Sequence, residues 1–197
     1  MNIIDNDLLS IQEARILAEN AAMAKKQLAQ FSQEKLNTIV EGMLDAVVMH
    51  LGELALLSHE ETGYGKAEDK AAKNYFICES VRQQIRNMKC VGFIEEDADN
   101  CTAKVGVPLG VIAALVPSTN PVSTTIFNAV IAVKAGNAII FSAHPRAVKT
   151  VGRTLDILIE AACEHGMPEY GISYLHAVDR EGTNTLIRHP EVNLILN

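Results

Sequence analysis

The second half of the chain alternates short, nearly continuous apolar runs with helical stretches, and this alternation constrains the fold most strongly. The apolar runs predict strands at Ala103–Val107, Val111–Val116, Ala138–Phe141, Ile172–Ala177 and Val192–Leu196. The stretches between them predict helices at about Val122–Lys134, Arg146–His165 and Gly182–His189. All but the first run are apolar enough for strands buried on both faces. Strand, helix and strand repeated in this order predict an α/β fold with right-handed crossovers and a parallel sheet.

Helical patterns fill the first hundred residues. Ser10 followed by Glu13 fits a capping box, which predicts a helix from about Ile11 to Gln30. We expect residues 1–100 to form a helical N-terminal part and residues 101–197 to form the part that contains the sheet. Because domains typically have about 100–200 residues, we expect the 197 residues to form one structural unit.

A second helix is predicted to start at Ser32, where Phe31 can close a hydrophobic staple across the first turn. Its apolar face is Leu36, Ile39, Val40, Met43, Leu44, Val47, Val48 and Leu51. Gly63 and Gly65 punctuate the next segment. A helix from about Ala67 to Met88 then follows, with an apolar side predicted at Tyr75, Phe76, Val81 and Ile85.

Ligands of parallel sheets bind at the carboxyl ends of the strands. The predicted strands place three segments there: Pro117–Asn120, Ser142–Arg146 and Val178–Gly182. These segments are the candidate binding loops before any family is considered.

Composition narrows the class of partner. The 17 Lys and Arg residues against 24 Asp and Glu residues give a net charge of -7, and no window is basic enough to bind nucleic acid. The N-terminus lacks a secretory signal, and no apolar stretch approaches the ~18 residues of a membrane span. We expect a soluble cytoplasmic protein that binds neither nucleic acid nor a membrane.

The cysteines show no metal-binding or disulfide pattern. No C-x-x-C spacing connects them, and none stands with histidines in a zinc-ligand arrangement. We predict no metal site and four reduced thiols, at Cys78, Cys90, Cys101 and Cys163. A free cysteine is most often a small buried hydrophobe rather than a nucleophile.

Several motifs in a fixed order resemble the aldehyde dehydrogenase superfamily, and within it the CoA-acylating branch, which includes acetylating acetaldehyde dehydrogenases and bifunctional aldehyde-alcohol dehydrogenases. The central motifs are Pro108–Val111, Val116–Pro121, Lys134–Ile140 and His144–Arg146. The flanking motifs are Glu61–Gly65, Glu68–Lys70, Lys73–Asn74 and Arg188–Leu196. The resemblance covers nearly the whole chain. It implies a Rossmann-like NAD-binding domain, here incomplete.

Asn120 is the candidate catalytic residue. On spacing alone, an Asn before Pro at the end of a buried strand is most often a turn residue. The resemblance instead implies that its side-chain amide stabilises the oxygen anion formed when a cysteine thiolate attacks an aldehyde. Such a donor contributes on the order of 10²–10³ in rate.

The resemblance also implies the cofactor-binding residues, which are Val116, Pro117, Ser118, Thr119, Ser142, His144, Pro145 and Gly182. Ser142–Arg146 is expected beside the adenosine ribose of NAD. Serine rather than lysine at Ser142 favours the acylating branch, whereas Ala143 departs from the proline that most acylating relatives carry. His144 is either a proton carrier or a residue that orders its loop, the second being favoured.

Two further segments have structural explanations beside functional ones. Gly136 is expected to end a helix in a left-handed conformation, with Asn137 opening the next strand. Asp179–Gly182 is either a solvated turn that caps the next helix or a surface for the adenine, with Gly182 allowing close approach.

The implied reaction starts with a cysteine thiolate adding to an aldehyde. Hydride then passes to NAD, and coenzyme A, the co-substrate, removes the acyl group, all steps being reversible. None of the four cysteines matches the nucleophile, which the family carries on a catalytic domain further along. We therefore expect this chain to be an N-terminal fragment that lacks the catalytic domain and is inactive alone.

Two alternatives stay open at this point. A non-catalytic nucleotide-binding or assembly module would retain the fold without the chemistry, and an acyl-phosphate reductase of the same superfamily is a weaker alternative. The expected substrate is a small aldehyde or acyl-CoA, with acetaldehyde first. The resemblance also implies a homo-oligomer for the full-length enzyme.

Overall fold

Four helices form the first part of the protein, and the first two of them begin at side-chain caps. The computed structural model describes residues 5–197. The helices are α1 (Asn6–Leu28), α2 (Gln33–Val48), α3 (Leu51–Thr62) and α4 (Ala67–Ile85). The Ser32 hydroxyl accepts the Lys35 N–H, which confirms the predicted start of α2. Its apolar face is buried from Leu36 to Val47.

The remaining elements alternate as expected. They are β1 (Gly92–Asp97), β2 (Thr102–Gly106), β3 (Val111–Val116), α5 (Pro121–Lys134), β4 (Ala138–Ala143), α6 (Val148–Glu164), β5 (Ile172–Tyr174), α7 (Arg180–Ile187) and β6 (Val192–Leu196). β1 and β2 pair as a separate antiparallel hairpin that straddles residue 100. The other four strands form a parallel sheet in the order β5-β4-β3-β6, so the predicted α/β class is confirmed.

The strand order reverses beside β3. From β3 the chain steps outward to β4 and β5 through α5 and α6, and α7 then returns it to β6 on the opposite side of β3. Right-handed crossovers therefore place α5 and α6 on one face of the sheet and α7 on the other. α1 packs against α7, and α2 packs against α5 and α6. The switch point lies between β3 and β6, where open α/β sheets bind ligands.

The core is deepest at β3 and β4. Every side chain of β4 is buried, and β3 is buried apart from the half-buried Leu115. The prediction that the later strands are all buried on both faces is wrong for β6, where Asn193 and Ile195 are exposed. β6 forms the edge of the sheet next to β3, so nothing in residues 5–197 pairs with its other side.

The capping box at Ser10 was a wrong prediction. α1 starts one turn earlier because the Asp5 carboxylate accepts the N–H groups of Asp7 and Leu8, and an aspartate is at least as good an N-cap as serine. Ser10 is fully buried inside the helix. Glu13 instead accepts the backbone N–H groups of His176 and Ala177.

The predicted apolar side of α4 is right at Val81 and Ile85, which pack in or against the core, but wrong at its first two residues. Tyr75 is 55% exposed and Phe76 is 65% exposed. The buried side instead runs through Lys70, Asn74, Cys78 and Val81. Two of these residues are polar, so the hydrophobic pattern misplaced the face that packs on α3 and α5.

Smaller differences concern boundaries. Leu51 opens α3 rather than ending α2, and α3 ends at Gly63 with φ 72°. β5 stops at Tyr174 instead of Ala177, because Glu13 takes the backbone N–H groups of His176 and Ala177. β1 was not predicted at all, since its segment has few apolar residues and is largely exposed. No helix within residues 5–197 is long and apolar enough to cross a bilayer.

Candidate functional site

A cleft of about 480 Å³ opens at the carboxyl ends of β4, β3 and β6, and so includes the switch point between β3 and β6. Its walls are Leu115–Pro117, Ser142–Pro145, Val178–Arg180, Thr183, Asn184 and Asn197. The volume falls within the range of about 300–1,000 Å³ that is typical of small-molecule and cofactor sites. Five of the eight predicted cofactor residues line it: Val116, Pro117, Ser142, His144 and Pro145.

The far wall of the cleft is the start of α7. The Asp179 carboxylate caps this helix by accepting the Glu181 N–H at 2.8 Å, which matches the capping interpretation of this turn. The Thr183 hydroxyl donates to the Asp179 carbonyl oxygen at 2.9 Å. Because its one proton is used there, the Ser142 hydroxyl is the donor across the 2.8 Å contact with Thr183 Oγ1. Ser142 thus ties the end of β4 to α7.

Gly182 does not line this cleft. A Cβ atom added to Gly182 would stand 1.8 Å from the Ser10 hydroxyl oxygen and 2.7 Å from Ser10 Cβ. The missing side chain therefore makes room for Ser10 of α1. Sequence reasoning missed this because Ser10 and Gly182 lie far apart in the chain.

His144 orders its own loop. Its backbone N–H donates to the Val116 carbonyl oxygen at 2.9 Å, and its carbonyl oxygen accepts the Ala147 N–H at 2.8 Å. Its ring Nδ1 accepts the Arg146 N–H at 3.1 Å, which assigns the proton of a neutral ring to Nε2. These contacts support the loop-ordering role rather than proton transfer.

The same loop is fastened from outside by α3. Arg146 Nη2 donates to the Thr62 carbonyl oxygen at 3.4 Å, and the guanidinium lies 5.7 Å from the Tyr64 ring centroid. The Glu61 carboxylate accepts the backbone N–H groups of Lys149 and Thr150 at 2.8 and 2.7 Å. It therefore caps α6, which has no cap from its own residue Ala147. The glutamate at the start of the Glu61–Gly65 motif is thus a helix cap.

Asn120 lies outside the cleft, in a small recess at the end of β3 that also contains Ser58, Lys70, Lys73 and Asn74. It occupies the N-cap position of α5 but makes no side-chain capping bond. Its Oδ1 accepts a hydrogen bond from Lys73 Nζ. Its Nδ2 makes only a long contact, at 3.5 Å, with Thr119 Oγ1.

Two lysines of α4 support this turn. Lys70 Nζ donates to the Thr119 carbonyl oxygen at 3.3 Å. Burial lowers the pKa of Lys70, and the neighbouring charge of Lys73 lowers it further. Burial also lowers the pKa of Lys73. Thr119 is therefore held from the lysine side of the turn, and neither Ser118 nor Thr119 is among the residues that line the cleft, contrary to the grouping expected from sequence.

The cysteines lie elsewhere. Cys78 is buried, and desolvation raises the pKa of its thiol to about 11, which suppresses the nucleophilic thiolate. Burial also raises the pKa of Cys163. None of the four cysteines is among the residues that line the cleft or the Asn120 recess. Within residues 5–197, no group of three or more His, Cys, Asp or Glu side chains could hold a metal ion.

An open parallel sheet with a ligand-sized cleft at its switch point is the arrangement in which α/β proteins bind dinucleotides. The chain belongs to the aldehyde dehydrogenase family, whose family model matches residues 5–196. The protein is therefore assigned to an oxidoreductase enzyme family, and its relatives include an enzyme named as acetylating.

Two curated relatives illustrate this. The bifunctional aldehyde-alcohol dehydrogenase AdhE of Escherichia coli (strain K12) is 36% identical over 187 residues, which cover 95% of this chain and 21% of that protein. The succinate-semialdehyde dehydrogenase (acetylating) of Clostridium kluyveri is 34% identical over 184 residues, which cover 93% of this chain and 40% of that protein. The chain thus spans well under half the length of these relatives.

Solved structures agree. An acetylating aldehyde dehydrogenase from Geobacillus thermoglucosidasius matches with a TM-score of 0.95 and 42% identity, covering 98% of this chain and 43% of that one. A Rhodopseudomonas palustris propionaldehyde dehydrogenase with bound propionyl-CoA matches with a TM-score of 0.81 and 28% identity, covering 92% and 40%. An engineered glycolyl-CoA reductase with bound NADP⁺ has the same TM-score and identity, covering 92% and 41%.

Proposed function

We propose that this chain is the dinucleotide-binding part of a CoA-acylating aldehyde dehydrogenase. The reaction of the whole protein is aldehyde, coenzyme A and NAD to acyl-CoA and NADH, and it is reversible. The observation that carries the proposal is the cleft at the switch point, with Asn120 in a separate recess after the same strand β3, on a chain whose relatives include acetylating enzymes. None of the four cysteines of this chain is assigned as the catalytic thiol in this proposal, since none lines the cleft or the Asn120 recess.

The cleft fits the adenosine half of the dinucleotide. Val116 and Pro117 offer one apolar wall, and the loop of Ser142, His144 and Pro145 offers the rim expected at the ribose. The rim is already ordered by the hydrogen bonds of His144 and Ser142, so little conformational entropy is lost when a ligand binds. NAD bound there would supply the hydride acceptor. Asp179 and Arg180 place one charge of each sign in the lining, so both NAD and NADP belong in the test.

Asn120 would act on the carbonyl oxygen of the aldehyde or acyl group. When a thiolate adds to the carbonyl carbon, the carbon–oxygen π bond becomes a lone pair on oxygen, and an N–H donor fixed in advance stabilises that charge. Nδ2 of Asn120 carries two such hydrogens and makes only one long contact within the described residues. The strand end and turn that present it are held at Val116, whose carbonyl oxygen accepts the His144 N–H, and at Thr119, whose carbonyl oxygen accepts from Lys70.

Cofactor binding is tested on the chain itself by calorimetric titration with NAD and with NADP. Replacement of Thr183 by Phe fills the cleft, and we expect the affinity for NAD to fall at least about tenfold. Thr38→Phe is the matched control, because Thr38 donates to a carbonyl oxygen four residues earlier, as Thr183 does, but lies exposed on α2. Equal affinities in the two variants would refute binding in this cleft.

Catalysis is tested by joining the chain to the remaining segment of the Geobacillus thermoglucosidasius enzyme. We expect acyl-CoA-dependent NADH oxidation by the fusion and none by the 197-residue chain. Asn120→Ala should lower kcat on the order of 10²–10³ with little change in the KM for NADH. If the chain binds NAD but the well-folded fusion has no activity, the enzyme function is refuted and a non-catalytic nucleotide-binding module is the function that remains.

A further inference from the structure

The pairing of Asn120 with Lys73 is unusual for a helix N-cap. An asparagine at this position normally turns its Oδ1 toward the free N–H groups of the first turn. Asn120 makes no such bond, and its Oδ1 accepts from Lys73 Nζ instead. α5 therefore forgoes a stabilising cap, which indicates that the orientation of the Asn120 side chain serves another purpose.

The burial of two lysines beside this turn also indicates that the orientation of Asn120 has a function. Lys70 is only 7% exposed and Lys73 is half-buried, and buried lysines are rare unless they are paired with a carboxylate. Neither forms an ion pair with a carboxylate in the part of the chain that the structure describes. Their hydrogen-bond acceptors are two neighbouring oxygen atoms of one turn, the Thr119 carbonyl and Asn120 Oδ1.

A lysine ammonium group donates and never accepts, so it can pair only with the oxygen end of an amide. With Oδ1 held by Lys73, the flip of the Asn120 amide is determined, and Nδ2 is directed away from α4. A charge-assisted bond at Oδ1 also polarises the amide, which makes the N–H groups of Nδ2 stronger donors. Lys70 meanwhile holds the backbone of the same turn.

We propose that Lys73 is a positioning residue, which holds the Asn120 amide so that Nδ2 donates to the reacting carbonyl oxygen. This inference rests on the oxyanion role proposed for Asn120. Lys73 itself does not touch the substrate in this arrangement. Its contribution passes through Asn120 and should disappear when Asn120 is removed.

The orientation is tested first on the 197-residue chain, without any activity. In a sample labelled with ¹⁵N-asparagine, the Nδ2 resonances of Asn120, assigned by their loss in Asn120→Ala, report the hydrogen bond at Oδ1. Lys73→Met should shift them, whereas Lys66→Met, an exposed lysine at the start of the same helix, should not. Unchanged Nδ2 resonances in a folded Lys73→Met chain would overturn the inference.

The consequence for catalysis is tested in the fusion. Lys73→Met should lower kcat by about tenfold to a hundredfold with little change in the KM for NADH, and Lys73→Arg should restore part of it. The double variant with Asn120→Ala should be no slower than Asn120→Ala alone, since the two act as one unit. If the double variant instead has a kcat reduced by the product of the two single reductions, the positioning role is refuted. If Asn120→Ala alone changes nothing, the proposed oxyanion role fails instead.

Discussion

The two loops at the carboxyl ends of β3 and β4 are held in different ways. The loop after β4 is fastened by several groups that satisfy its own backbone and the start of α6, including His144, Glu61 and Arg146. The turn after β3 leaves the N-terminus of α5 without a side-chain cap and depends on two lysines of α4. The first arrangement stabilises a rim against which a ligand can rest. The second gives up local stability to aim one amide.

The largest effect is expected at the fastened loop. Glu61→Ala removes an acceptor of three hydrogen bonds from Lys149 and Thr150. Loss of a charged helix cap of this kind should lower the free energy of unfolding by about 2–3 kcal/mol. Glu60→Ala, at the exposed neighbouring position, is the control. Urea unfolding measures both.

If Glu61→Ala also weakens NAD binding, the hydrogen bonds from Glu61 to the start of α6 are needed to keep the loop after β4 in its binding conformation. If Glu61→Ala unfolds no more easily than Glu60→Ala, the loop after β4 is not held by α3 and the contrast between the two loops is lost.

A second test concerns the wall opposite the loop. Gly182→Ala introduces a methyl group where Ser10 already packs, so we expect a loss of about 1–3 kcal/mol in the free energy of unfolding. Gly52→Ala, in α3 with nothing within 4 Å of the added Cβ, should stabilise by up to about 1 kcal/mol.

The double variant Ser10→Gly with Gly182→Ala moves the missing side chain to the other helix and should recover part of the loss. Thermal unfolding of the four proteins decides the point. A Gly182→Ala chain as stable as the parent would show that α1 does not fix the start of α7.

The smallest effect is expected in the pH dependence of stability, to which Cys78 and the two lysines of the same helix, Lys70 and Lys73, contribute with opposite signs. Burial raises the pKa of Cys78 to about 11, so the stability linked to this thiol is present below its ordinary value of 9.0 and is lost as pH rises toward 11. The lowered pKa values of Lys70 and Lys73 act in the opposite direction: stability rises as deprotonation proceeds.

Cys78→Ala should therefore remove about 1–2 kcal/mol of the decline in stability between pH 9 and pH 11. Guanidinium unfolding at a series of pH values in that interval measures it, with Cys101→Ala, an exposed cysteine, as the control. Equal slopes in the parent and in Cys78→Ala would contradict the burial of this thiol.

Much of the fold was predictable because its signal is local. The continuous apolar runs of β3 and β4 and the periodic face of α2 can be read within a few residues of each position. The predictions failed where polar residues are buried or where another element supplies the partner. Lys70 and Asn74 are buried on α4, so the apolar pattern selected Tyr75 and Phe76 wrongly. The exposed hairpin strand β1 has no such pattern.

The candidate site divides in the same way. Strand ends and motifs located Asn120 and the loop from Ser142 to Arg146, but they gave no sign that Gly182 packs against Ser10 of α1. The motifs also contain Glu61 and Lys73, for which they indicate no role. A side chain that acts at a distant turn has no sequence period, so its partner cannot be found by spacing.

The amino-acid sequence by itself determined the parallel α/β architecture, the family and the strand ends at which a ligand can bind. The alternation of apolar runs and helices allows few other ways to bury so much apolar surface. Only the tertiary structure decided that Lys73 reaches Asn120 across 47 residues and that Glu61 caps α6 across 88. Those pairings depend on how the helices pack, because a hydrogen bond needs its two atoms within about 3 Å. Helix packing is a property of the whole core and not of any segment.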